Sequence, residues 1–271
     1  MITKAIIPVA GWGTRRLPIT KAIEKCMLPI GNRPVVDYTV QDCIKAGITD
    51  IYFVVGEQSG QLRDFYRNNI DLNNYLRRNG KTEYLSMIAP PKVRFHYVIQ
   101  SSYGKYGTSI PVALAYDAMG RPDESVVVLM GDDCIFNRDD SSEVERLINS
   151  VNDRECAMLG VEVDRNQVSK YGVISMNENN EFEKIIEKPN INEAPSNLIN
   201  VSKYVLNSTA LRAISDHANS MQDGEYYITE PINKIVSQGE KIKVIPAVGK
   251  YLDAGTLEGW LIANEFVIRG E

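Results

Sequence analysis

Runs of apolar residues and helical spacings alternate along the first half of the chain. Residues 4–10 form a short apolar run closed by Gly11, the pattern of a strand covered on both faces. After a charge-rich loop, Pro34 stands where a helix opens. Val36, Val40, Cys43 and Ile44 then recur at i, i+4, i+7 and i+8, and Gly47 supplies the stop. Residues 50–55 read as a second buried strand, ended by Gly56. Leu62, Phe65, Tyr66 and Asn69 predict another helix, fading into a polar stretch around residues 73–81. Val93, Phe95, Tyr97 and Ile99 alternate with more polar neighbours, as in a half-buried strand. A helix around 111–119 and an apolar strand at 125–130 follow. Ser142 and Glu145 make a capping box for a helix with Val144, Leu147, Ile148 and Val151 on one face.

The second half changes rhythm. Residues 172–176, a turn at 177–180 and residues 181–186 predict a β-hairpin. A strand at 201–206, a helix near 229–237, a strand at 243–246 and an amphipathic helix from Thr256 complete the reading. Strands separated by crossover helices imply parallel pairing with right-handed connections. The expected fold is α/β: one domain with a Rossmann-like, mixed but mostly parallel sheet flanked by helices, elaborated by antiparallel strands in its second half.

Composition narrows the options. The 271 residues are 44% hydrophobic and 24% charged, ordinary globular values that exclude disorder. The net charge of −5 argues against a general nucleic-acid binder. No apolar run approaches the roughly 20 residues of a membrane span, and no signal-peptide core precedes the first strand, so a cytoplasmic protein is expected. Cys26, Cys43, Cys134 and Cys156 show no Cys-x-x-Cys pairing, and His96 and His217 are the only imidazoles. Neither a disulfide framework nor a Cys/His zinc site is expected.

Four segments carry candidate chemistry. Gly11-Trp12-Gly13-Thr14-Arg15-Arg16 follows the first strand, where glycines admit a phosphate close to backbone amides and the N-terminus of a following helix. It is neither a dinucleotide fingerprint, since Arg16 replaces the third glycine, nor a Walker A loop, since Gly-Lys-Ser/Thr is missing. Alone it is a tight turn; with Arg15, Arg16, Lys21 and Lys25 clustered in an acidic chain, a polyphosphate site becomes the better reading. Asp132 and Asp133 close the strand at 125–130, where α/β folds bind ligands. Two adjacent carboxylates there suit Mg²⁺, or else cap the next helix. Asp253 ends another strand, with a helix cap as its bland alternative. Glu187-Lys188-Pro189 leaves the hairpin, where Lys188 could offer a point charge to a phosphate.

In this order and spacing, these segments resemble the sugar-1-phosphate nucleotidyltransferases over essentially the whole chain, their bacterial uridylyl-transferring members most of all. The likeness rests on residues 8–15, on Lys25 with Met27-Leu28-Pro29, and on Gly131-Asp132-Asp133. It continues through residues 169–174, Glu187-Lys188-Pro189, residues 194–197, Tyr204-Val205-Leu206 and Asp253. It implies that Ala10, Gly11, Gly13 and Thr14 bind nucleotide, that Arg15 and Lys25 hold its β- and γ-phosphates, and that Gln100 and Gly107 read the pyrimidine edge. It further implies that Lys188 holds the sugar phosphate while Glu187 and Gly172 read sugar hydroxyls, and that Asp132 and Asp253 carry Mg²⁺. The implied division is a nucleotide part at about 1–135 and a sugar-phosphate part at about 136–271, in a homodimer or homotetramer. The implied reaction joins UTP to glucose 1-phosphate, releasing pyrophosphate. Thymidylyl or cytidylyl transfer, a non-catalytic nucleotide-sugar binder and an NAD-dependent oxidoreductase are the alternatives. The chain departs from the family pattern at Glu24 and Cys26, at Lys105–Ser109 beside the base, and at Ser202-Lys203.

Overall fold

The computed structural model describes every residue except 153, 180, 221 and 271, so the last position of the expected 177–180 turn lies outside the described residues. In chain order the elements begin with β1 (Lys4–Pro8), β2 (Pro29–Ile30), β3 (Arg33–Pro34), α1 (Val35–Lys45), β4 (Asp50–Gly56), α2 (Gln61–Tyr66) and α3 (Ile70–Arg78). Then come β5 (Arg94–Gln100), α4 (Ser109–Ala118), β6 (Val126–Leu129), β7 (Asp133–Phe136), α5 (Glu143–Asn149) and β8 (Cys156–Glu162). The remainder is β9 (Gly172–Met176), β10 (Phe182–Glu187), β11 (Leu198–Leu206), α6 (Ser208–Ala218), α7 (Thr229–Ser237), β12 (Ile242–Pro246), β13 (Lys250–Asp253) and α8 (Leu257–Arg269).

Among the described residues, nine strands make one mixed sheet. β6, β1, β4 and β5 are parallel neighbours, joined through crossover helices as the alternating pattern requires. β11 enters antiparallel beside β6, and its other edge takes β8, which pairs in parallel with β12. The β9–β10 hairpin joins through Ile199 of β11. All strands but β10 and β11 therefore run in one direction, and the antiparallel elaboration falls in the second half as expected.

The sheet is apolar on both faces, which is why its central strands lack alternation. One face packs on α1, α2 and α5 through Val36, Val40, Leu62, Tyr66, Val144 and Leu147. The other packs on α4, α6 and α7 through Val112, Tyr116, Leu211, Ile214, Ile232 and Ile235. A smaller core sits under α8, built from Ile30, Cys134, Leu252 and Ala263 around the separate β7–β13 pair.

Three expectations change. The polar stretch after Tyr66 contains α3, because Asn69 accepts the Leu72 N–H at 3.0 Å and starts a helix whose polar residues face solvent. The glycine loop runs not into an α-helix but into three 3₁₀ turns, Thr14–Arg16, Ile19–Lys21 and Lys25–Met27. Leu17, held extended before Pro18, prevents the first turn from growing. The strand β8 had no signal in the reading above, since its Cys-Ala-Met-Leu-Gly run is buried on both faces and poor in β-branched residues.

Candidate active site

The parallel strands deliver their carboxyl ends to one edge of the molecule, and the loops leaving β1, β5 and β6 enclose a cleft of about 550 Å³. Its lining contains Ala10, Gly11, Gly13, Thr14, Arg15, Lys25, Gln100, Gly107 and Asp132, the full set expected on the nucleotide side. Gly13 takes φ +64°, a left-handed conformation that lets the chain turn sharply enough to bring Lys25 beneath it. The Lys25 ammonium meets the Asp132 carboxylate across the cleft. Burial works to raise the Asp132 carboxyl, but the Lys25 charge overrides it and holds the group below the usual carboxylate range.

The base-side loop is fixed by main-chain pairing to the segment before α7. Tyr106 N–H donates to Gly224 O at 3.0 Å, Tyr226 N–H to Tyr106 O at 2.8 Å, and Ser109 N–H to Tyr226 O at 2.9 Å. Gly107 sits between them at φ +98°, and a Cβ there would lie 2.6 Å from Tyr226 N, so no side chain fits. Thr108 Oγ1 accepts the Ile228 N–H at 2.9 Å.

The remaining predicted residues do not line this cleft. Gly172 pairs with Glu187 in the β9–β10 ladder, and Lys188 follows with φ +42°, an unusual backbone for a side-chain-bearing residue, held by its N–H donating to Tyr171 O at 3.0 Å. Lys188 and Glu187 are exposed. Tyr171 joins them to the carboxylates: its hydroxyl donates to Asp253 Oδ2 at 3.0 Å, and Asp253 lies opposite Asp133 in the β7–β13 ladder. Burial and the nearby Asp253 push the Tyr171 hydroxyl well up, so it remains a donor. Tyr171 thus links the β9–β10 residues to Asp253, which lies opposite Asp133, the neighbour of the cleft-lining Asp132.

The bland readings of the aspartates do not hold. Ser142, not an aspartate, caps α5, and Thr256 caps α8 by accepting the Gly259 N–H at 3.0 Å. Asp253 instead accepts the Gly255 N–H at 2.8 Å.

Several residues escaped the sequence reading because each acts beside a residue that was noticed. Lys203, 3% exposed, donates to Asp133 Oδ1 at 2.6 Å, while the Tyr251 hydroxyl donates to Asp133 Oδ2 at 3.0 Å. Burial opposes the Lys203 charge, yet Asp133 holds its ammonium above the ordinary range. Glu24 accepts the Gly60 and Gln61 N–H groups at the start of α2, at 2.8 and 2.7 Å, anchoring the turn that carries Lys25. Arg16 turns away from the cleft to the start of α8. The sequence signal at Glu24 and Lys203 was departure from the family pattern; Arg16, counted with the basic cluster expected at a polyphosphate, instead holds the carbonyls of Ala254 and Thr256.

A nucleotidyl transferase family model matches residues 4–270. A UTP–glucose-1-phosphate uridylyltransferase of Pseudomonas aeruginosa is 32% identical over 276 residues, which cover 98% of this chain and 96% of that one. Among solved structures, the UTP-bound UGPase of Acinetobacter baumannii superposes with a TM-score of 0.86 at 25% identity, covering 100% of this chain and 95% of that one. A UDP-glucose pyrophosphorylase complexed with UDP-glucose gives a TM-score of 0.83 at 28% identity, with both chains fully covered. With the glycine loop, the strand-end carboxylates and the whole fold in agreement, the chain belongs to the nucleotidyl transferase family.

Proposed function

We propose that this protein transfers a uridylyl group from UTP to glucose 1-phosphate, yielding UDP-glucose and pyrophosphate, in the cytoplasm. The observation that supports it most is the convergence of the glycine loop, Lys25 and Asp132 in one cleft at the ends of β1 and β6. The part up to about residue 135 takes the nucleotide, and the part from about 136 takes the sugar phosphate. Ala10, Gly11, Gly13 and Thr14 cradle the nucleotide, while Gln100 and Gly107 meet the base. Arg15 and Lys25 face the β- and γ-phosphates, where charge grows as pyrophosphate leaves. Lys188 draws in the sugar phosphate, with Glu187 and the Gly172 amide toward the sugar hydroxyls.

The nucleophile is a phosphate oxygen that is already an anion, so no general base is needed. Catalysis reduces to aligning two polyanions and neutralising their charge. Lys25 is held by Asp132 at the cleft until a triphosphate competes for it.

Asp132 and Asp253 fit Mg²⁺. Both are hard oxygen donors, and Mg²⁺ takes one or two carboxylates and fills its shell with phosphate oxygens and water. When bound, Mg²⁺ supplies neutralisation of the triphosphate and polarisation at the α-phosphorus. The test is pyrophosphate release over a grid of nucleoside triphosphates and sugar 1-phosphates in Mg²⁺. UTP with glucose 1-phosphate should turn over fastest. A thymidine or cytidine nucleotide leading the grid would reassign the substrate, and no turnover anywhere would leave a nucleotide-sugar binder.

A further inference from the structure

Arg16 is a buried cation, 5% exposed, one residue beyond the cleft-lining Arg15. Its Nη1 donates to two main-chain oxygens, Ala254 O at 2.8 Å and Thr256 O at 3.0 Å, and its guanidinium lies 5.2 Å from the Trp260 ring centroid. Those carbonyls straddle Gly255, whose own N–H is held by the Asp253 carboxylate. Trp260 is fixed in turn, its indole N–H donating to Pro29 O at 2.6 Å. Ion pairs found for other buried cations, such as Lys203, have no counterpart at Arg16 among the described residues. Burying a guanidinium on carbonyls alone is costly, and an apolar side chain could fill the same space. What the arginine adds is geometry: one nitrogen set between two carbonyls while the planar guanidinium lies over a ring face.

We propose that Arg16 is a positioning residue that locks the phosphate-facing glycine loop to the Asp253 segment, so that Arg15 and the Asp253 carboxylate are placed together and nucleotide in the cleft is felt at the start of α8. The glycine loop and Asp253 lie about 240 residues apart in sequence, and Arg16 bridges them directly. This rests on the site assignment above for the meaning of Arg15 and Asp253, but the contact itself does not.

The chain's two tryptophans, Trp12 in the glycine loop and Trp260 beneath Arg16, make the idea measurable. In a Trp12→Phe parent, Trp260 is the sole reporter. UTP should change its emission in the parent. Adding Arg16→Met should abolish that change while calorimetric UTP affinity stays within about threefold. In the same pair, kcat should fall by roughly ten- to a hundredfold, the scale of a misplaced catalytic group. Arg16→Lys, which keeps the charge but not the planar guanidinium over Trp260, should fall between the two and serves if Arg16→Met melts early. Overturning results are a parent whose Trp260 emission is blind to bound UTP, or an Arg16→Met variant that keeps both the emission change and kcat within twofold. Failure of the functional reading would show differently, as no pyrophosphate release from the wild-type protein, and leaves the emission comparison standing.

Discussion

The three charges that face the cleft each have a charged neighbour in sequence that turns away and anchors a different element. Arg15 has Arg16 at the start of α8, Lys25 has Glu24 at the start of α2, and Asp132 has Asp133 on Lys203 of β11. A side chain that must stay free for substrate cannot also brace its own backbone, so the neighbour does so. The two lysines then separate by function. A charge-assisted contact to phosphate is worth roughly 1.5–3 kcal/mol, about one to two decades in an equilibrium constant. Lys188→Ala should raise KM for sugar 1-phosphate by that factor and leave UTP affinity, measured calorimetrically without sugar, near wild type. Lys25→Ala should lower kcat more than it weakens UTP binding, since its contact strengthens as pyrophosphate departs. Should Lys188→Ala lose UTP affinity and keep its KM for the sugar phosphate, the two-sided site is wrong. Asp132→Asn and Asp253→Asn should each abolish turnover in Mg²⁺ while circular dichroism and thermal melts stay close to wild type. A variant that retained the wild-type rate would remove that aspartate from the site.

At the scale of elements, β10 shows how an exposed sheet edge is closed. Asn233 of α7 donates its amide N–H to Ile185 O and accepts the Ile185 N–H, both at 2.8 Å, standing in for the next strand. Asn233→Ala leaves both groups without that partner and should cost about 1–2 kcal/mol in guanidinium unfolding. An unchanged midpoint would show that water replaces the amide. Asparagine in an amphipathic helix gives no hint of this, because its value lies in a strand that precedes it by some 50 residues. The same limit explains what the sequence could and could not reveal. Parallel strands and their helices were legible from local periodicity, and the glycine loop, Asp132 and Asp253 from their places at strand ends. β8 lacked alternation, and β7 begins at Asp133, the second of two adjacent carboxylates that read as a loop. Lys203, Tyr251 and Tyr171 matter only through partners distant in the chain, so no local pattern marks them.

The whole molecule carries an acid-sensitive tie at the end of the sheet away from the cleft. Asp50, at the start of β4, is held by Arg94 at the start of β5, through Nε at 2.7 Å and Nη2 at 2.5 Å, with His96 Nε2 at 3.0 Å. The Arg94 hydrogen bonds keep the Asp50 carboxyl well below its ordinary range, outweighing burial. Such a depressed group stabilises the fold above the unfolded carboxylate value of about 3.9, and that contribution is lost as pH falls below it. Asp50→Asn should therefore destabilise at pH 7 and show a shallower loss of stability below about pH 4 than wild type. Parallel pH profiles of the two proteins would reject this. We also propose a homodimer or homotetramer, and light scattering at micromolar concentration should return two or four times the chain mass. A clean monomer would refute it. The pairing of β7 with β13 has a consequence for the protein's making. β7 is translated more than a hundred residues before its partner, and Asp253 arrives with that partner. A nascent chain can therefore bury most of the large sheet and display its glycine loop while one carboxylate and Tyr251 are still to be added. On the role proposed for Asp253, turnover should begin only after synthesis has passed residue 253, and a chain ending before β13 should release no pyrophosphate.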